Sequence, residues 1–217
     1  MDRDVFLARV GRAAMTTVLP EPPLVPELLP EMEAEDLVNL FRERAQAVDG
    51  VVHGPVGRHG APVVVTGIAS GHGCETFMAW DDLPSSGVAS ALTTEGLERI
   101  PHDVSNEDRL SHQLGYLPLA LGVTGALAGL ADSGSLVLSH GSGRPRMASL
   151  VPEVHVALLE VGAIDRTLAH WAHKHPHAIG ETANLVMVTG PSRTGDIEQS
   201  LNLGVHGPRH VHIVLIR

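Results

Sequence analysis

The chain has a single cysteine, Cys74, among 217 residues. That excludes a disulfide framework and any Cys-x-x-Cys pair. An iron–sulfur cluster takes about four thiolates, so this chain by itself cannot hold one. Basic residues are also in deficit. Fifteen Lys and Arg against 25 Asp and Glu give a net charge of −10, which argues against nucleic acid or an anionic membrane as the main partner. The longest apolar run, 118–130, is interrupted by glycines and too short to span a bilayer. No basic segment followed by an apolar one opens the chain, so no secretory signal is expected and a cytoplasmic setting is the default. There is no internal repeat of 20–50 residues. Gly67-Ile-Ala-Ser-Gly-His-Gly lacks the dinucleotide fingerprint, and no Gly-Lys-Ser/Thr ending makes a Walker loop.

What is present is the composition of a globular α/β protein: 43% hydrophobic and 18% charged residues. The length allows a sizeable core. Residues 4–15 have weak helical spacing. Five prolines between Pro20 and Pro30 then exclude a helix and predict an extended link. Glu33 to Val48 regains the helical period through Leu37, Leu40, Phe41, Ala45 and Val48, with Gly50 as a stop. Residues 1–50 therefore form an N-terminal helical arm with a proline-rich linker, packed on its own domain or on a partner, and 51–217 form the main domain.

From Val51 onward, short apolar runs dominate: 51–53, 62–68, 119–124, 135–138, 154–159, 185–189 and 211–216 read as strands. Helices are expected at 93–100, 106–116, 126–131, 162–175 and 195–203. Near-continuous apolar strands alternating with helices predict a mostly parallel, twisted sheet covered on both faces, with some antiparallel pairing around 126–138.

Residues 189–208 concentrate polar chemistry on four glycines and two prolines. They read as strand, glycine turn, short helix, glycine turn, strand. Gly190, Ser192, Arg193, Thr194, Asp196 and Glu198 would place free N–H groups of a helix start, hydroxyls and one arginine around a carboxylate or phosphate. The alternative is a capped turn with Arg193 paired to Asp196 or Glu198. His206, next to Gly207-Pro208, is a candidate acid or base, or a backbone-bonded loop residue. Asp132, followed by Ser133-Gly134-Ser135, is a candidate nucleophile or acid/base group, or the acceptor for its own turn's amides. Between Gly141 and Arg146, two glycines and two arginines predict a lid or an anion contact through Arg146, or a solvated basic loop. His170-Trp-Ala-His-Lys-His-Pro-His matches no zinc motif and reads as a polar helix end rather than a metal site.

Gly122-Val-Thr-Gly, Ala131-Asp-Ser-Gly-Ser-Leu-Val-Leu, Ser149-Leu-Val-Pro-Glu-Val-His, Gly190-Pro-Ser-Arg-Thr-Gly-Asp-Ile-Glu and Gly204-Val-His-Gly-Pro occur in that order. Together they resemble the LUD-domain family, in its lactate utilization protein C branch. Asp132 stands where relatives carry glutamate, and Gly195 where alanine is usual. The resemblance implies a fold like the NagB/ribose-phosphate isomerase/CoA-transferase group. CoA transferases of that group carry a nucleophilic glutamate in a Glu-Asn-Gly turn, to which Asp132-Ser-Gly is similar. It also implies an accessory role in oxidation of L-lactate to pyruvate, with iron–sulfur clusters carried by partner proteins and no cofactor held by this chain alone. The alternative is a small-molecule enzyme or ligand sensor for a phosphorylated or carboxylate compound, with a CoA-transferase-like or isomerase-like activity among the possibilities.

Overall fold

Strands made almost wholly of Val, Ile, Leu and Ala cannot leave one face in water, and the chain covers both faces of its main sheet. The computed structural model describes residues 3–16, 29–102, 119–178, 180, 182–195, 201–204 and 206–217. The helices are α1 (Arg3–Thr16), α2 (Ala34–Ala47), α3 (Ala61–Gly71), α4 (Val88–Thr94), α5 (Met147–Leu150) and α6 (Leu168–Lys174). The strands are β1 (Val51–Val56), β2 (Thr76–Ala79), β3 (Glu98–Arg99), β4 (Leu121–Gly125), β5 (Ala128–Leu130) and β6 (Ser135–His140). They continue with β7 (Val154–Glu160), β8 (Ile164–Asp165), β9 (Asn184–Val188), β10 (Arg193–Gly195), β11 (Leu201–Leu203) and β12 (His210–Ile216).

Six strands form the main sheet in the order β1-β12-β7-β4-β2-β3, and every pairing in it is parallel. A second sheet, β8-β5-β6-β9, is mostly antiparallel. Side-chain alternation along the main strands divides the core in two. Phe77, Val123, Val156, Leu158 and Val214 meet Val65, Ile68, Val88 and Leu92 of α3 and α4 on one face. Met78, Ala157, Leu159, Ile213 and Leu215 meet Phe41 and Ala45 of α2, with Leu136 and Leu138 of β6, on the other. Phe41 is fully buried there, which contributes roughly 2–3 kcal/mol. On α1, by contrast, Val5, Phe6 and Leu7 are exposed.

Two glycines let the second sheet close on α2. Gly134 (φ +68°) and Gly190 (φ +72°) both lie against the last turn of α2, where a Cβ would stand 2.2 Å from the Ala45 nitrogen and 2.1 Å from the Val48 oxygen respectively. Only glycine combines that backbone with that approach.

Several expected elements differ. The run 62–68 is not a strand but the body of α3: Pro62 sits at a helix start, where its missing N–H costs nothing. Ala61, Val65, Ile68 and Ala69 then bury one helical stripe. The segment 93–100 is the end of α4 followed by β3. The segment 126–131 carries β5 instead of a helix, fully buried, because its small residues let it pair with β6 as a hairpin arm. The 162–175 helix is confined to α6, which starts where the Thr167 hydroxyl accepts from the His170 N–H. At the two ends of the expected 195–203 helix, Gly195 and Leu201–Leu203 belong to the antiparallel pair β10–β11, and 196–200 lie outside the described residues. The helix predicted at 106–116 lies outside the described residues.

Candidate functional site

In a parallel sheet, ligands collect where the loops leaving two adjacent strands depart in opposite directions, at the strands' carboxyl ends. Here those strands are β2 and β4. The chain leaves β2 through α4 to β3 on one side, and leaves β4 through the second sheet and α5 to β7 on the other. α4 and α5 accordingly lie on opposite faces, Leu92 in one core cluster and Ala148 in the other. A crevice opens at this point. One lobe of about 250 Å³ is walled by Trp80, Asp82, Gly125, Arg144 and Glu160. Another, of about 340 Å³, is walled by Asp81, His102 and the Gly141–Gly143 turn.

Each carboxylate at this edge is held by an arginine. Asp82 accepts from Arg144 Nε at 2.8 and 3.0 Å through its two oxygens, and from Nη2. That bonding raises the Arg144 pKa above its ordinary value, so the guanidinium is permanently charged. It also lies 5.8 Å above the Trp80 ring, and the Trp80 indole N–H is fixed by the Pro145 carbonyl at 3.2 Å. Arg58 joins Glu160 and the Pro84 carbonyl, while Ser85 Oγ donates to the Arg58 carbonyl at 2.6 Å. Asp81 pairs with Arg99 at 3.0 Å. The crevice is therefore polar but nearly charge-balanced, suited to a small anion rather than a polyanion.

A second polar system lies in the sheet itself. His155 is fully buried, its Nε2 2.9 Å from Thr124 Oγ1, and burial first, then the charges of His140 and His212, push its pKa down to about 4. His140, lowered mainly by burial, bonds Ser149 at 3.1 Å. On the α3 face, His53 Nε2 lies 3.0 Å from His212 Nδ1, and His72 Nε2 lies 3.0 Å from His212 Nε2. His212 is lowered to about 4 by burial first and by its three histidine neighbours second. Farther out, the buried Asp165 accepts from His170 Nδ1, the Arg166 N–H and Lys174 Nζ. Burial alone would raise that carboxyl, but the three donors outweigh it and hold it below its usual value. Among the described residues, no three His, Cys, Asp or Glu are arranged to hold a metal ion.

The residues singled out from sequence gather elsewhere. Segment 189–208 leaves the carboxyl end of β9 but delivers the chain to the amino end of β12, so it borders the edge opposite the crevice, about 20 Å away along a seven-residue strand. Arg193 is ion-paired with Asp49, and Gly190 lies on Val48. The Ser192 N–H donates to the Pro208 carbonyl, and its own carbonyl accepts from Gly204; Gly207 packs on the Ser192 side chain. Thr194 lies in β10, a strand, so the helix start drawn around it is not formed. Asp196 and Glu198 lie outside the described residues. His206 is exposed. The Asp132 turn is brought beside this segment by a 2.7 Å bond between Ser135 and Thr189 hydroxyls, with Ser133 2.9 Å from Ser135. Asp132 itself is exposed, and its N–H donates to the Arg166 carbonyl. Arg146 is exposed at the start of α5; its neighbour Arg144 is the one that lines the crevice. The crevice residues Trp80, Asp81, Asp82, Arg99 and His102 were not picked out from sequence. The available signal was an acidic pair ending the apolar run Phe77-Met-Ala-Trp.

A parallel sheet with α3 and α4 on one face, α2 and a smaller sheet on the other, and a crevice at its switch point defines an α/β protein. Its fold matches a crystal structure of a DUF162 family protein from Deinococcus radiodurans, with a TM-score of 0.65 and 17% identity over 86% of this chain and all of that one. The LUD domain model matches residues 38–216, and the chain belongs to that family. Among relatives, a lactate utilization protein C of Halalkalibacterium halodurans is 27% identical over 98% of this chain and 97% of its own. The Geobacillus lactate utilization protein C is 27% identical over 69% of this chain. An uncharacterized protein of Neisseria meningitidis is 36% identical over 44% of this chain. The matched regions span 41% of the Neisseria protein and 65% of the Geobacillus one. No helix among the described residues is long and apolar enough to cross a membrane.

Proposed function

We propose that this chain serves lactate utilization as a ligand-binding accessory subunit, working with iron–sulfur proteins that take up the electrons as L-lactate becomes pyruvate. The observation that carries the reading is the end-to-end similarity to the Halalkalibacterium lactate utilization protein C. The crevice supports it, because Arg99 at its edge gives one donor to Asp81 and keeps others for a small carboxylate. The lone Cys74 also supports it, since one thiol cannot hold a cluster that takes about four. In this role the protein binds and orients, and the redox centres belong to its partners. Deleting the gene should abolish growth on L-lactate as sole carbon source while leaving growth on pyruvate intact, and an affinity-tagged copy should co-purify with iron-containing proteins. Unimpaired growth on L-lactate would overturn the proposal.

A further inference from the structure

Asp81 follows β2 and His102 follows β3, so two neighbouring parallel strands deliver them to the same edge of the sheet. The Asp81 backbone is fixed by its N–H donating to the Gly143 carbonyl at 2.9 Å. Its carboxylate then holds two different groups side by side: Arg99 Nη2 at 3.0 Å on Oδ1, and His102 Nε2 at 3.3 Å on Oδ2. The three residues wall one small cleft of about 270 Å³ with Ile100 and Pro101, open to the lobe formed by the Gly141–Gly143 turn.

The histidine's position is unusual. Its Nε2 is buried and has no formed hydrogen bond, with Asp81 within reach but out of line. Pairs of this kind tighten when a ligand seats the ring. Arg99 spends one donor on Asp81 and reaches the Ala79 carbonyl at 3.5 Å, so most of its five donors remain for another acceptor. One cation and one imidazole, set against the two oxygens of a single carboxylate, match a ligand with a carboxylate and a hydroxyl on adjacent carbons.

We propose that Arg99 and His102, held by Asp81, form the recognition site for a 2-hydroxy acid, with Arg99 taking its carboxylate and His102 hydrogen-bonding its hydroxyl. The inference rests on the lactate reading above and locates its ligand within the crevice. It explains why the binding group is a carboxylate-anchored pair rather than a free arginine. It also sets Arg144, whose Nε and Nη2 are turned to Asp82, outside direct ligand contact.

The test is calorimetric titration of the full chain with L-lactate and with propionate, which lacks the hydroxyl. Wild type should bind L-lactate about tenfold more tightly than propionate, the value of one hydrogen bond to a hydroxyl. His102→Asn should erase that preference by weakening L-lactate alone, and Arg99→Gln should weaken both ligands. Arg144→Gln should leave both unchanged. Arg99 and Arg144 have exposed side chains, and Asn keeps a polar group at 102, so these variants should melt within a few degrees of wild type. Equal binding of the two ligands by wild type, a preference that survives in His102→Asn, or loss of binding in Arg144→Gln each overturns the assignment. Those outcomes are separable from the genetic test. Lost growth on L-lactate with no hydroxyl preference sinks the site and leaves the lactate role standing.

Discussion

Acid should unfold this protein through its interior histidines. His155 and His212 are both held at about 4 in the folded state, against 6.5 for an ordinary imidazole. The unfolded chain therefore binds protons first as pH falls below 6.5, so folding stability is complete near neutrality and declines from 6.5 toward 4. At about 1.4 kcal/mol per pH unit, each ring removes about 2 kcal/mol of stability by pH 5 and up to about 3 kcal/mol by pH 4. Both together approach the whole stability of a marginal domain, about 5 kcal/mol. His53 and His210, also lowered chiefly by burial, act in the same direction. The groups facing His212 are His53 on β1, beside Arg42 of α2; His72 after α3; and His210, near Glu153 and Arg209. Glu153 alone opposes the effect, by favouring a proton at His210, and burial outweighs it there. Urea denaturation followed by circular dichroism at pH 7.5, 6.5, 5.5 and 5.0 measures the slope. His155→Gln keeps a polar group near Thr124 but cannot titrate, and should flatten the slope by about 2 kcal/mol between pH 7 and 5. A wild-type stability that does not change over that range would refute the reasoning. So would a His155→Gln curve parallel to wild type.

Other consequences follow from packing and charge. Asp165→Ala should cost about 3 kcal/mol in urea denaturation, because it strips three donors of their buried acceptor; a loss under about 1 kcal/mol would mean the pair is solvated. Gly190→Ala should cost more than about 2 kcal/mol, from a left-handed backbone and a Cβ 2.1 Å from the Val48 oxygen. Gly67→Ala, in α3 with nothing within 4 Å, should instead gain about 0.5–1 kcal/mol; thermal melting separates the two. Arg193→Ala should change stability by less than about 1 kcal/mol, since both members of the Arg193–Asp49 pair are exposed.

Periodicity revealed the parallel sheet because strands buried on both faces carry an unbroken signal. β4, β6, β7 and β12 were each visible as apolar runs. The same signal misled at 62–68, where three consecutive valines look like a strand. Pro62 and the i, i+4, i+7, i+8 burial of Ala61, Val65, Ile68 and Ala69 decide for helix, and only the sheet above them supplies that burial. The turn after β9 misled for a related reason. Its polar residues fit a helix start around Thr194, but Thr194 lies in β10, and the Arg193–Asp49 pair and the Ser192–Pro208 bond tie the strand's base down from outside it. Long-range contacts of that kind leave no local trace.

The crevice was hidden by a different circumstance. Arg99, Asp81 and His102 are separated by up to 21 positions, Arg99 ending β3 and the other two lying just beyond β2 and β3, and they meet only after three-layer packing has placed β2 beside β3. No spacing rule links them, because the link is the register Thr76↔Glu98 and Phe77↔Arg99. Segment 189–208, in contrast, is conspicuous in sequence because closing the second sheet on α2 requires glycines at fixed points and leaves polar residues between them. Conspicuous composition therefore marks where the backbone is most constrained, at the amino edge of the sheet. The chemistry assembled by topology stands at the carboxyl edge, where loops are free to carry it. On that division, replacing residues of the 189–208 turn should be felt first in stability, and replacing Arg99 or His102 first in ligand binding.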